Sequence, residues 1–445
     1  MSTIALISEH ASPLAPAGTV DSGGQNIYVA HVARQLAAAG HHVDVFTRRD
    51  APHLGEVVHW HPRLRVIHVP AGPPCHVPKE EMLPSMTTFS LWMDSFMRAQ
   101  RRRYYIVHAN FFMSGQAGLH VSRSLGIPLV VTFHALGKVR RLYQGLADRF
   151  PEARLQIEDT LVRCADRIIA ECPEDRHDLE RHYHADPAKI AVVPCGYDAS
   201  EFYPVERARA RRVLGWHPRR FTLLQLGRMV PRKGVDNAIE GLARLRADHG
   251  IDACLYVVGG DTDDPARAPS PEIDRLKTLA AEHEVDAHVS FVGRRGRDAL
   301  PLYYGAADVF VTTPWYEPFG ITPVEAMACA RPVLGSAVGG IRATVQDGQT
   351  GFLVPPRDPA ALARQAAVLA DNPTLGWRMG LAGLRRAREL YTWRRVATEL
   401  ERVYRDCTGP VLPAANPGAP AAKVIPLRRG SHAPTPLVAR PREAP

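Results

Sequence analysis

Short apolar runs, separated by longer stretches with helical spacing, organise most of this 445-residue chain. The first set comprises Ile4 to Ser8, Val43 to Thr47, Arg65 to Val69, Tyr105 to Ala109, Pro128 to Phe133, Arg167 to Ala170 and Ala191 to Val193. Runs this short between helix-length segments predict buried strands of a parallel α/β sheet. The alternation starts afresh at Phe221 to Leu226 and continues through Leu255 to Val258, Val289 to Val292, Val309 to Thr312 and Pro332 to Gly335. Two facing, Rossmann-like, doubly wound domains with a cleft between them are therefore expected, over residues 1–204 and 218–385. The join falls at 205–217, where a basic helical stretch runs into Gly215-Trp-His-Pro218. Leu390, Tyr391, Val396, Leu400 and Tyr404 have helical spacing and predict a closing helix over 386–407. From 408 to 445 there are nine prolines in 38 residues and no apolar period, which predicts a disordered basic tail.

Composition adds little to this plan and removes several alternatives. Hydrophobic residues at 45% and charged residues at 23% describe an ordinary globular chain. The net charge of +9 is scattered arginine, 49 against six lysines, and the tail alone carries five basic residues and one acid. Without a clustered basic stripe interleaved with aromatics, nucleic acid is not an expected partner. Seven cysteines form an odd set with no C-x-x-C, which fits a reduced, cytoplasmic chain and no structural zinc. Met1-Ser-Thr-Ile-Ala-Leu-Ile reads as a first strand, not a leader. No uncharged run reaches ~18 residues, so no membrane span is expected, while peripheral attachment stays open.

The candidate chemistry lies at the ends of predicted strands, where open α/β sheets bind ligands. Glu317-Pro-Phe-Gly-Ile-Thr-Pro-Val-Glu325 sets two carboxylates on either side of a turn that opens a helix. Such a turn frees backbone N–H groups for an anion, and the carboxylates can accept hydrogen bonds from sugar hydroxyls. Arg228 and Lys233 flank a second loop and could hold a diphosphate. Taken singly, each has a bland reading: a solvated helix-face glutamate or a surface ion pair. Asp21-Ser-Gly-Gly-Gln25 follows the first strand and opens a helix with the apolar face Ile27, Ala30, Val32, Ala33 and Leu36. Its glycines lack the G-x-G-x-x-G spacing of a dinucleotide site, so no nicotinamide cofactor is expected. Asp261-Thr-Asp-Asp264 contains a D-x-D pattern but follows the Gly259-Gly260 loop rather than the basic pair, and reads as a polar loop, not a metal site.

These residues resemble the retaining nucleotide-sugar glycosyltransferases of the GT-B fold, in the branch containing sucrose-phosphate synthase and the inositol-phosphate N-acetylglucosaminyltransferase. The resemblance rests on Ser8-Glu-His-Ala-Ser-Pro, Asp21-Ser-Gly-Gly-Gln-Asn, Phe133-His-Ala-Leu-Gly-Lys138, Gly227-Arg-Met-Val-Pro-Arg-Lys-Gly234, and Glu317-Pro-Phe-Gly through Glu325-Ala-Met. It implies that Arg228 and Lys233 bind the donor diphosphate beside Gly23 and Gly24, and that Glu325 holds the ribose hydroxyls. Glu317 and the amides of Phe319, Gly320 and Ile321 would meet the transferred sugar, with His134 facing the reacting centre. Arg294 would line the base pocket or simply be a surface arginine. Lys79 and Arg154 would hold an acceptor phosphate, but Phe111 or Phe112 stands where the family has Tyr, and Ala135 where it has Thr. Losing those hydroxyls leaves a phosphate less well satisfied, so inositol phosphate gives way to a broader anionic acceptor. The expected activity is same-face transfer of a hexosyl unit from a nucleotide sugar, UDP favoured, without metal or cofactor. His134, Arg228, Lys233 and Glu317 carry the catalysis in this reading. A nucleotide-sugar epimerase of the same shape and a non-catalytic nucleotide-sugar-binding protein are the competing readings.

Overall fold

The computed structural model describes residues 3–15, 23–268 and 270–409. The expectations for Asp21, for Ser22 and for the tail beyond 409 lie outside the described residues. Eight strands form the first sheet: β1 (Thr3–Ile7), β2 (His42–Arg48), β3 (Val57–His61), β4 (Leu64–Val69), β5 (Tyr104–Asn110), β6 (Leu129–Thr132), β7 (Arg167–Ala170) and β8 (Ile190–Val192). Their order is β3-β4-β2-β1-β5-β6-β7-β8. Six more form the second: β9 (Phe221–Leu226), β10 (Ala253–Val258), β11 (Val289–Gly293), β12 (Val309–Thr312), β13 (Val333–Ser336) and β14 (Gly351–Val354). Here the order is β11-β10-β9-β12-β13-β14. In each sheet the first strand lies inside: β1 pairs in parallel with β2 and β5, and β9 with β10 and β12. The direction of winding reverses at these strands, so the loops leaving their carboxyl ends frame a crevice.

Two strands were not anticipated. Val57–His61 is half exposed and pairs antiparallel with β4 at the sheet edge. Its histidines dilute the apolar signal, and an edge strand needs only one buried face. Gly351–Val354 is a second edge strand, too short to declare a period. The expected parallel sheet is therefore mixed in its first half.

Segment 205–217 is more than a linker. It contains the helix Arg207–Leu214, packed on the helix Leu300–Ala306 of the second domain, where Arg211 donates to the Ala306 carbonyl at 2.9 Å. The expected closing helix is likewise two elements, Pro373–Leu390 and Trp393–Thr408, broken at Tyr391-Thr392 where Thr392 caps the second. Trp393, Val396, Leu400 and Tyr404 recur at helical spacing on its buried face. That face returns to the first domain: Tyr404 OH lies 2.6 Å from His108 Nδ1, and Glu401 Oε1 lies 2.9 Å from His41 Nε2. The chain thus passes between domains twice, and the passages touch, Tyr197 N donating to Tyr391 O at 2.7 Å. One apolar cluster consequently runs from Tyr28 and Val32 through Trp393 and Leu400 to Phe310 and Met327. Among the described residues no helix is long and apolar enough to cross a membrane, and all seven cysteines are free thiols.

Candidate active site

A cavity of about 330 Å³ opens between the two sheets, at the carboxyl ends of their strands. Its second-domain wall is built by the loops after β9, β10, β11 and β12. After β9 the chain runs Gly227-Arg228 and then turns through Pro231–Lys233 into the helix Val235–Ala247. That turn needs Gly234, whose φ is +65° and where a Cβ would lie 1.9 Å from the Thr313 carbonyl oxygen. After β12 comes the segment containing Tyr316, Glu317 and Phe319, which enters the helix Ile321–Ala328 through Gly320. Gly339, at φ +44°, packs against the backbone of Glu317, and Gly340 N donates to the Glu317 carbonyl at 3.1 Å. A side chain at either glycine would push this loop away.

Charge converges here. Lys233 Nζ donates to Glu317 Oε2, and both side chains are largely but not wholly covered. Burial pulls the Lys233 ammonium below its usual value, against the pull of Glu317. Burial works to raise the Glu317 carboxyl, but Lys233, Arg232 and Arg228 overcome it and hold the group below its usual range. Glu317 is thus a fixed anion among three cations. Glu325, only 2% exposed, accepts from Tyr304 OH at 3.2 Å and lies 3.1 Å from Arg297 Nη1. Burial raises its carboxyl, and Arg297 opposes the shift.

The first-domain wall has another character. The helix Gly24–Ala38 points its N-terminus into the cleft, with Asn26 Oδ1 accepting from Gly23 N at 3.0 Å. A Cβ on Gly24 would stand 3.4 Å from Ile321 Cδ1, so two helix N-termini face each other across the gap. Each presents its first-turn amides and a positive dipole end. His134, at φ +58°, follows β6 with its Nδ1 2.8 Å from Glu171 Oε1 and its Nε2 3.0 Å from Asn110 Oδ1. Phe111, at φ +90°, is a second strained residue on the same wall.

Of the residues singled out from the sequence, Gly23, Gly24, Lys79, His134, Arg228 and Lys233 line the cavity, as do Arg294, Glu317, Phe319, Gly320, Ile321 and Glu325. Arg154 does not. It is 1% exposed beneath the wall, where its Nε donates to Glu158 Oε1 at 2.7 Å and its Nη2 to the Ala135 carbonyl at 2.5 Å. Phe111, Phe112 and Phe150 surround its guanidinium at 4.5–5.0 Å. Glu158 also accepts from Gly137 N at 2.9 Å, so this pair anchors the helix Gly137–Gln144 that supplies Arg140 and Gln144 to the cavity. Arg154 is a support for the first-domain wall rather than part of its surface. Of the two phenylalanines, Phe111 reaches the cavity together with Ala135. Arg294 Nε lies 2.8 Å from Asp263 Oδ1, so the D-x-D loop is engaged by arginine.

Sequence reasoning missed Arg232, Arg297, Tyr304 and Glu171. Arg232 sits inside a motif already quoted, and only its proximity to Glu317 distinguishes it. Nothing in Gly293-Arg-Arg-Gly-Arg297 marks the third arginine over the first.

Family models match both halves of the chain, Glycosyltransferase Family 4 over residues 22–201 and Glycosyl transferases group 1 over residues 206–385. D-inositol 3-phosphate glycosyltransferase from Corynebacterium efficiens is 36% identical over 410 residues, covering 91% of this chain and 95% of that protein. The enzyme of the same name from Streptomyces scabiei is 36% identical over 409 residues, covering 90% of each. Among solved structures, sucrose-phosphate synthase from Thermosynechococcus elongatus superposes with a TM-score of 0.83 at 34% identity, covering 91% of this chain and 99% of that one. The fold also matches Anabaena HepE, solved in complex with UDP-glucose, at a TM-score of 0.70 and 18% identity over 91% of this chain and all of that one. With both domains matched and relatives aligned nearly end to end, the chain belongs to the group 1, family 4 glycosyltransferases of GT-B architecture.

Proposed function

We propose that the chain transfers a hexosyl unit, with retention, from a nucleoside diphosphate sugar to a hydroxyl of an anionic small molecule. UDP is the favoured nucleotide. The observation that carries this reading is the convergence of Arg228, Arg232 and Lys233 with two opposed helix N-termini in one cleft. Departure of a nucleoside diphosphate builds negative charge, and fixed cations and amides stabilise it without reorganising. In this reading Lys233 leaves Glu317 for the diphosphate as the donor enters, and Glu317 turns to the sugar hydroxyls. Engaged with the sugar hydroxyls, Glu317 is not assigned as the acid of a glycosidase-like pair. The donor's own phosphate oxygen takes the acceptor proton on the face that the leaving group vacates, while the protein supplies orientation. His134, fixed between Glu171 and Asn110, borders the reacting carbon.

On the acceptor side, Lys79 and Arg140 favour an anionic group, whereas Phe111 and Ala135 bring no hydroxyl to it. The three cations supply the charge that a divalent metal would otherwise bring, so neither metal nor other cofactor is required. The test is product analysis with UDP-glucose and UDP-N-acetylglucosamine against inositol phosphate, hexose phosphates and neutral sugars, in the presence of a chelator. An α-linked product from the α-linked donor, read from its anomeric proton coupling, supports the proposal. A β-linked product, or a donor epimer formed without any acceptor, contradicts it.

A further inference from the structure

Glu325 does not stand alone in its pocket. Arg297, in the turn between β11 and the helix Leu300–Ala306, spans from that carboxylate to the passage between domains. Its Nη1 lies 3.1 Å from Glu325 Oε1, while its Nε and Nη2 lie 3.0 and 2.9 Å from Glu201 Oε2. The guanidinium also covers the ring of Phe202 at 4.8 Å. Glu201 and Phe202 sit one turn beyond Tyr197, the residue that bridges to the returning chain at Thr392. Their backbone amides both donate to the Asp198 carbonyl, at 3.1 and 2.9 Å. On the far side of Asp198 is His31, in the helix whose N-terminus borders the cleft, stacked on Trp393 at 5.1 Å.

His31, Asp198 and Glu201 place three ligand atoms within 4.8 Å of one another, a spacing that a cation could use. Positive charge is already present, however: Arg297 lies on Glu201, and Arg34 faces both acids. The cluster is therefore organised around guanidinium groups. One detail points toward a ligand. Glu325 Oε1 is buried and, among the described residues, has no aligned hydrogen-bond donor, although Arg297 is within ion-pair distance. A buried carboxylate oxygen in that state is suited to accept from a hydroxyl that enters the cleft.

We propose that Arg297 is a positioning residue for donor recognition: it holds the Glu325 carboxylate aimed at the nucleoside ribose, and anchors it through Glu201 to the inter-domain passage. This rests on the reading of Glu325 as the ribose-binding group. The groups facing Glu325 are Arg297 and Tyr304, with Glu201 and Cys329 farther off. Only Arg297 among them is a cation. Removing it leaves burial and Glu201 to push the carboxyl further up, so ligand affinity should become sensitive to acid at a higher pH.

The test is calorimetric titration of UDP and 2′-deoxy-UDP, from pH 5 to 8, into the full chain and its R297Q, R297K, E201Q and E325Q variants, with thermal midpoints recorded alongside. R297Q should bind UDP about tenfold more weakly at neutral pH, the size expected for losing a charged hydrogen-bonding partner. It should lose less toward 2′-deoxy-UDP, and its acid limb should move upward. R297K should return that limb toward the wild-type position without recovering full affinity, since it restores charge but not the two-sided fork. E201Q should weaken UDP binding by less than R297Q. If R297Q binds UDP with wild-type affinity and pH dependence while E325Q is weakened, the role given to Arg297 is wrong and the ribose reading survives. If E325Q itself binds UDP like the wild type, the ribose reading fails and this proposal falls with it.

Discussion

The two walls of the cleft differ in what holds their charged groups. On the second-domain wall, Lys233 and Glu317 reach the cavity surface and pair with each other, with Arg228 and Arg232 beside them. Beneath the first-domain wall Arg154 holds Glu158 and Glu9 accepts from Ser114, while Lys79, Arg140 and the His134–Glu171 pair line the cavity above them. A pair at a cavity surface can exchange partners with an incoming ligand. A buried pair cannot do so without leaving its partner uncompensated, at a cost of about 3–5 kcal/mol. The first wall therefore rests on a rigid frame, and the Lys233–Glu317 pair of the second is the one prepared to trade contacts.

The largest effect that this contrast predicts is on catalysis. Lys233→Ala should lower kcat by about two to three orders of magnitude, the scale for removing one donor from an anion-stabilising site, with little change in thermal midpoint. Steady-state rates with the best donor check it, and near-normal turnover would place the diphosphate elsewhere. Arg154→Ala should show the reverse pattern. It leaves Glu158 buried beside Gly137 and Tyr183, so urea denaturation should show a loss of about 3–5 kcal/mol, while UDP affinity of the folded protein holds. An unchanged urea midpoint with lost use of an anionic acceptor would instead restore Arg154 to the acceptor site.

The smallest effect concerns pH. The Asp175 carboxyl is pushed by burial, and then by neighbouring Glu171, up to about 8 from an ordinary 3.8. Folded chains keep this proton through a range in which unfolded chains release it. Asp175 thus contributes stability at low pH that is lost as pH rises through that window toward about 8. Asp175→Asn can still accept from Glu171 N, as Asp175 Oδ2 does at 2.9 Å, and should flatten that part of the profile of thermal midpoint against pH. An unaltered slope would mean that the buried frame around His134 does not hold a proton there.

The same contrast explains what could be read from the sequence. Second-wall residues follow directly on apolar strands, within glycine-marked turns, so Gly227-Arg228, Lys233-Gly234 and Glu317 through Glu325 announce their place in the cleft. First-wall residues interact across the fold. Arg154 reads as an acceptor ligand because the family resemblance has an arginine there, yet the i,i+4 spacing to Glu158 already offers an internal partner. Glu171 and Asp175 surround the end of β7 and the helix start at Pro173, and only the fold brings them near His134. The strand Val57–His61 stayed hidden because a half-exposed edge tolerates histidine. The break at Tyr391-Thr392 stayed hidden because helical spacing continues on both sides of it. Arg297 had no signal, since its importance lies in reaching two carboxylates far apart in sequence.

The most direct measurement is a crystal structure of the full chain with a non-hydrolysable UDP-sugar. The account predicts the diphosphate within hydrogen-bonding distance of Arg228 and Lys233, between the opposed ends of Gly24–Ala38 and Ile321–Ala328, with ribose hydroxyls on Glu325 and the Lys233–Glu317 pair opened. A ligand bound outside this gap, or bound within it while Lys233 remains on Glu317, would contradict it.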